Sequence, residues 1–234
     1  LAALNAAPGG SIVVLHACCH HPTGYDLDPA QWQEVIAGVR ARGLVPILDM
    51  AYQGFGDGIA EDGAVVGMLI ASGLEFYVAT SFSKSFSLYG ERVGALSVVC
   101  NTKESAARVL SQLKRVIRTN YSTPPTHGAQ VVAAVLTSPT LRAQWEDELG
   151  AMRRRIQEMR TLLRTRIEAK VPGSGASHIT TQKGMFSYSG LNPAQMQRLR
   201  AEFGVYGLDS GRICVAALNH ANIDRVVDAI SKVS

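Results

Sequence analysis

The sequence lacks any run approaching the roughly 20 consecutive apolar residues of a membrane-spanning helix, so no membrane partner is expected. Cysteine is scarce. Cys18, Cys19, Cys100 and Cys214 show neither the spacing of a disulfide framework nor that of a zinc knuckle. Reduced, mostly buried thiols in a cytoplasmic protein are the expectation. Charge of one sign is also missing, since 23 Lys and Arg stand against 19 Asp and Glu, a net +4 with pI near 9.0. The densest basic run, Arg153-Arg154-Arg155, lies inside a helical pattern without interleaved aromatics. It therefore reads as a solvated helix face, and no nucleic-acid partner is expected. No initiator Met or basic leader precedes the first apolar run, so no signal peptide is expected. The chain reads as beginning inside a longer protein.

What is present is 47% hydrophobic content over 234 residues, enough for one large domain or two small ones. Apolar runs of strand length alternate with helical patterns through the first half, the signature of an α/β sheet. Residues 11–17 read as a continuous buried strand. Asp28-Pro29-Ala30-Gln31 predicts a helix with Asp28 as N-cap, Pro29 at its first position and a stop at Gly43. Strands are expected at 44–49, 75–80 and 93–100, with Pro46 arguing for an edge or a strand end.

Two apolar stripes follow at helical spacing. One is Ala106, Val109, Leu110, Leu113, Val116 and Ile117; the other is Leu141, Trp145, Leu149, Met152, Ile156, Met159, Leu163 and Ile167. The second is long enough to link two domains, and its Trp145 reads as core. Beyond the Val171–Gly175 turn cluster, short strands are expected at 178–181, 185–188, 205–208 and 213–216, with helices at 193–203 and 221–233. The fold class is thus α/β. Residues 1–145 are expected to form an α/β domain, and 146–234 the linking helix and a small α+β domain.

The chemistry concentrates in Ser81-Phe82-Ser83-Lys84-Ser85-Phe86-Ser87-Leu88-Tyr89-Gly90-Glu91-Arg92. A lysine amine among hydroxyls, with an arginine eight residues on, suits a covalently held aldehyde cofactor that carries a phosphate. Asp49 falls at the carboxyl end of a strand, where open α/β sheets place their ligands. A buried carboxylate there needs a partner, and a protonated pyridine nitrogen supplies one. Tyr52 can offer its phenol to an oxygen on the same ring. The group His16, Cys18, Cys19, His20 and His21 invites a metal reading, but its spacing matches no standard zinc pattern, and no metal is expected.

These motifs, with His16–Gly24, Asn120-Tyr121-Ser122-Thr123-Pro124-Pro125, residues 184–190 and Ser210-Gly211-Arg212, resemble the aspartate and aromatic-amino-acid aminotransferases. Those are class I, fold-type I enzymes dependent on pyridoxal 5'-phosphate (PLP), and the resemblance implies that residues 1–145 are the carboxyl-terminal part of their three-layer α/β/α large domain. Residues 82–92 and 212–219 are more similar to the aromatic (tyrosine) branch. The resemblance implies that Lys84 carries the cofactor and moves the substrate α-proton, that Asp49 pairs with the ring nitrogen, and that Tyr52 bonds the ring oxygen. It implies that Ser81, Ser83 and Arg92 hold the phosphate, that Arg212 clamps the substrate α-carboxylate, and that Phe186 lines that pocket. Arg118 would meet a distal carboxylate in a neighbouring subunit's site, which requires a homodimer. The substrates implied are an aromatic or dicarboxylic L-amino acid and a 2-oxo acid such as 2-oxoglutarate, in a ping-pong cycle.

His21 departs from the pattern, because the family usually has Asn before this Pro-Thr-Gly. His21 is expected at both the cofactor oxygen and the substrate carboxylate, and His21-Pro22 is a candidate cis peptide. The Gly-rich phosphate turn and the aromatic that stacks on the ring are expected upstream of Leu1. Two rival readings share Lys84 and Asp49. One is another fold-type I PLP enzyme, a lyase or decarboxylase, which need not keep both arginines. The other is an inactive PLP-domain fragment acting as a binding or assembly module.

Overall fold

The computed structural model describes residues 1–234. By contacts the chain separates into two units. The first is Leu1–Ala17, Leu27–Gln53 and Ile59–Glu148, and the second is Cys18–Asp26, Gly54–Gly58 and Leu149–Ser234.

The first unit is an α/β sheet. A short helix α1 (Ala2–Ala6) precedes strand β1 (Ile12–His16), helix α2 (Pro29–Arg42) and strand β2 (Val45–Met50). Helices α3 (Ile59–Asp62) and α4 (Ala64–Ala71) lead to strand β3 (Phe76–Ser81), strand β4 (Gly94–Val99) and helices α5 (Lys103–Asn120) and α6 (His127–Thr137). Helix α7 (Pro139–Lys170) starts here as well. The strand order is β1-β2-β3-β4, with β1, β2 and β3 parallel and β4 antiparallel to β3.

Local chemistry sets the ends of α2. The Asp28 carboxylate accepts from the Gln31 N–H at 2.8 Å, the Gln31 side chain accepts from the Asp28 N–H at 3.0 Å, and Gly43 closes the helix at φ +60°. Its buried face, Trp32, Val35, Ile36 and Val39, meets Leu48, Met50, Phe76 and Val78 of the sheet and Val65 and Leu69 of α4. Alternation along the strands therefore leaves Ile12, Val14, His16, Ile47 and Asp49 on the opposite face.

One expectation is corrected here and two hold. Residues 11–17 are not a fully buried strand: Ile12 and Val14 are 66% and 61% exposed, and only one face of β1 joins the core. Pro46 is the second residue of β2, so it lies at a strand end, although β2 itself is flanked on both sides. Val45 N–H donates towards β1, to Ser11 at 2.9 Å, so the proline nitrogen points towards β3, whose ladder begins only at Ile47. No ladder bond is lost. The apolar stripe of α5 does form one helical face, yet no residue of that helix is buried; Leu110 and Val116 are 52% and 61% exposed.

The second unit holds the carboxyl-terminal part of α7, a one-turn helix α8 (His178–Thr181), strand β5 (Phe186–Tyr188), helix α9 (Pro193–Phe203), strand β6 (Arg212–Cys214) and helix α10 (Ile223–Val233). β5 and β6 pair antiparallel. Leu149, Ile156, Met159, Leu163 and Ile167 of α7 are buried, as are Met196 and Leu199 of α9 and Ile223, Val227 and Ile230 of α10.

The strand expected at 178–181 is a helical turn instead. Gln182 N–H bonds back to the His178 carbonyl at 3.1 Å, and the Ile179 carbonyl accepts from Arg160 at 2.8 Å, so no edge remains to pair. The strand expected at 205–208 is irregular, because bonds between Leu208 and Arg212 and between Gly211 and Leu208 fold that stretch into a tight turn. β6 ends at Cys214 and a 3-10 turn takes over at Val215–Ala217, where Val215 N–H already donates to the Met185 carbonyl at 2.9 Å.

The division between units is not the linear one at 145/146. It falls inside α7 after Glu148, and two loops from the first half belong to the second unit. Arg153 and Gln157 hold the carbonyls of Gly54 and Gly56 at 2.9 and 3.1 Å, and Lys183 N–H donates to the Gly24 carbonyl at 2.7 Å.

Candidate active site

The first unit gathers a lysine, a phenol, a carboxylate and a cluster of hydroxyls at the carboxyl ends of β2 and β3. Asp49 is paired across the parallel ladder with His16, and His16 Nε2 lies 3.9 Å from Asp49 Oδ2. The Asp49 side chain is 42% exposed, which corrects the expectation of a buried carboxylate. The open face of the sheet leaves it facing outward, with an imidazole beside it. The strand ends at His16, so the alternation that would have aligned His16, Cys18 and His20 for a metal stops there.

Tyr52, two residues beyond β2, is buried, and Lys84 Nζ sits 4.6 Å from the centre of its ring. Lys84 lies in a helical turn that follows β3 directly. Phe86 N–H returns to the Phe82 carbonyl and Ser87 N–H to the Lys84 carbonyl, each at 3.2 Å. Ser81 ends β3, and its hydroxyl accepts from Ser83 N–H at 3.2 Å. Ser83 and Ser85 are buried. Trp145 does more than fill a core. Its ring stacks on Phe86 at 4.5 Å, and its indole N–H donates to the Ser85 carbonyl at 2.7 Å, tying down the peptide next to the lysine.

Arg92 is exposed in the left-handed region at φ +52° and donates to the Tyr89 carbonyl at 3.0 Å, rather than to Ser81 or Ser83. Arg118 is exposed near the end of α5 and donates to the Ser122 hydroxyl.

The second unit assembles a different group. His21, Phe186 and Arg212 converge from a loop, from β5 and from β6. Arg212 Nη1 lies 2.6 Å from His21 Nε2, and the guanidinium carbon sits 4.8 Å from the centre of the Phe186 ring. His21 meets Phe186 edge-on at 4.8 Å. Arginine has donors only, so a hydrogen bond at this contact needs Nε2 as its acceptor. The His21-Pro22 peptide is cis. Asp26 fixes the loop by accepting from Cys19 N–H at 2.7 Å and His20 N–H at 2.8 Å.

Two residues were not assigned their roles in these sites from sequence. His16 could have been, since it closes one strand one ladder rung from Asp49. Asp26 carries no local signal.

Residues 1–230 match the family model for aminotransferase class I and II. The chain is 58% identical over 230 residues to an aspartate aminotransferase of Pseudomonas aeruginosa, covering 98% of this chain and 58% of that protein. It is 53% identical over 233 residues to an aromatic-amino-acid aminotransferase of Escherichia coli K12, covering 100% of this chain and 59% of the relative. Among solved structures, an aromatic-amino-acid aminotransferase from Burkholderia pseudomallei, covalently bound to pyridoxal phosphate, superposes with TM-score 0.97 at 61% identity. That alignment covers 99% of this chain and 58% of the neighbour. The chain therefore spans about 58% of the length of these relatives. It has no helix long and apolar enough to cross a membrane. With an α/β sheet presenting lysine, tyrosine and aspartate at its strand ends, the chain belongs to the class I and II aminotransferase family.

Proposed function

We propose that this protein is a PLP-dependent aminotransferase. It would move an amino group between an aromatic or dicarboxylic L-amino acid and a 2-oxo acid such as 2-oxoglutarate, in two half-reactions. The observation that carries the reading is the Lys84 amine held over Tyr52 beside the end of β3, with Asp49 presented at the end of β2.

The donor set fits PLP. An amine suits its aldehyde, an outward-facing carboxylate suits its protonated ring nitrogen, and a phenol suits its ring oxygen. The Ser81 and Ser83 groups suit its phosphate. Arg92 supports the phosphate role only by turning away from the Tyr89 carbonyl. Bound PLP supplies an electron sink that lets a proton leave the substrate α-carbon.

The chain's own residues would do the rest. Asp49 holds the ring nitrogen protonated, with His16 beside it. Tyr52 donates to the ring oxygen and packs against the lysine chain. The Lys84 amine accepts the proton from the substrate α-carbon and returns it on the other side of the exchange. Arg212 offers a planar fork to the α-carboxylate, which also bonds His21, and Phe186 shapes that pocket.

Arg118 is assigned to a distal carboxylate in a second copy of the chain, making the protein a homodimer with shared sites. Its exposure, and the exposed apolar stripe along another face of the same helix α5, support that role. A cytoplasmic location accords with four cysteines that form no disulfide bond.

Borohydride treatment of the PLP-loaded protein, followed by peptide mapping, tests the centre of the reading. The label is expected on Lys84. Adding tyrosine or aspartate should abolish the visible absorbance of the bound cofactor, and 2-oxoglutarate should restore it. A label on another residue, or a spectrum unmoved by either amino acid, refutes the assignment.

A further inference from the structure

Arg160 is 3% exposed, on the face of α7 that otherwise carries Ile156, Met159, Leu163 and Ile167. A guanidinium among aliphatic side chains costs several kcal/mol unless its donors are met, and hydrophobic replacements often stabilise such places. Helix packing alone would be better served by leucine. Burial pulls its pKa down from the usual arginine range to about 10, while the nearby Cys19 and Asp26 push it back up. It stays charged at neutral pH.

The two Nη groups of Arg160 go to carbonyls and not to a carboxylate, and its buried Nε has no partner. Nη1 donates to the Ile179 carbonyl at 2.8 Å, and Nη2 donates to the carbonyls of Gly184 at 2.9 Å and Phe186 at 2.5 Å. One side chain thereby fixes the backbone from α8 into β5. On the other side, the Asp26 carboxylate fixes the peptides of Cys19 and His20, immediately before His21. The two segments are in contact: Lys183 N–H bonds the Gly24 carbonyl at 2.7 Å, and Gly184 lies against Cys19. Phe186 and His21 both contact the Arg212 guanidinium.

We propose that Arg160 and Asp26 are positioning residues that set the geometry of the substrate-carboxylate clamp, Arg160 through the Phe186 strand and Asp26 through the His21 loop. The inference rests on Arg212 being that clamp. Neither residue touches substrate. Both hold backbone next to groups that do, and a sub-ångström misplacement there weakens binding of the carboxylate.

Arg160→Lys keeps the charge but replaces a planar fork with one point donor, which cannot span three carbonyls. In the PLP-loaded protein it is expected to raise KM for both amino acid and 2-oxo acid about tenfold, with kcat within about threefold. Asp26→Asn should raise KM about threefold or more. The double variant should fall short of the product of the two, because both residues hold one clamp. Affinity for 3-phenylpropionate, an unreactive carboxylate, should drop in parallel with KM when measured by calorimetry. Unchanged KM and 3-phenylpropionate affinity with a lowered Tm would reduce both residues to fold stabilisers and overturn the inference. So would multiplicative effects in the double variant. If Arg160→Lys gives no cooperative melt, Asp26→Asn alone decides by the same split of KM from kcat. A parent protein that exchanges no amino groups refutes the functional reading instead, and 3-phenylpropionate binding then still reads the clamp.

Discussion

Gly184 offers a test in which the structure sets the size of the effect. Its φ of +79° is a conformation that L side chains rarely adopt, and a Cβ built there lies 2.6 Å from Cys19 Cβ and 3.0 Å from Cys19 Sγ. Carbon atoms settle about 3.5–4.0 Å apart, so the Cys19 loop must retreat by about 1 Å. Gly184→Ala then combines about 1–2 kcal/mol of left-handed backbone strain with about 1–3 kcal/mol of overpacking. The expected total is about 2–5 kcal/mol, a fall in Tm of about 5–15 °C for a chain of this size. The displaced loop carries His21 away from Arg212, so KM should rise as well.

Cys19→Gly is the control. Cys19 itself sits at φ +50°, and glycine removes both the strain and the atoms in the way. The double variant Gly184→Ala/Cys19→Gly should therefore be more stable than Gly184→Ala alone, with a coupling of about 1–3 kcal/mol in urea melts. Strict additivity, or a Gly184→Ala melt within 1 °C of the parent, would refute the packing argument.

His21→Asn removes the edge-on contact with Phe186 and the titratable nitrogen that accepts from Arg212. Steady-state KM for the amino acid should change about threefold or more, and a parent-like value would show that the imidazole is incidental. Leu163 is fully buried in the second unit, and Leu163→Ala should cost about 3–5 kcal/mol by urea unfolding; a loss under 1 kcal/mol would mean the site collapses freely. Gln197 and Arg200 hold the Asp209 carboxyl below its ordinary 3.8. Its contribution is thus present above pH 3.8 and lost as pH falls through the lower folded value. At low salt, Asp209→Asn should flatten the acid side of the stability profile, and identical profiles in urea melts between pH 5 and 2.5 would contradict this.

The sequence by itself determined whatever depends on neighbours a few residues away. Asp28, Pro29, Gln31 and Gly43 specify both ends of α2, because caps are satisfied by side chains three residues off and by one left-handed glycine. The periods of the apolar stripes specify α5 and α7. The spacing of Ser81, Lys84 and Arg92, taken with Asp49 and Tyr52 upstream, points to a phosphate-bearing aldehyde cofactor before any fold is known. Only the tertiary structure decided which apolar faces are covered. It exposed Ile12, Val14 and the stripe of α5, for periodicity fixes the direction of a face and not what lies against it. It turned 178–181 into a helical turn, because Arg160 from α7 claimed a carbonyl that a strand would have needed. It also brought His21 to Arg212 across 191 positions. A contact of that range comes from the packing of β5, β6 and a loop around a buried cation, and no local pattern in the chain encodes it.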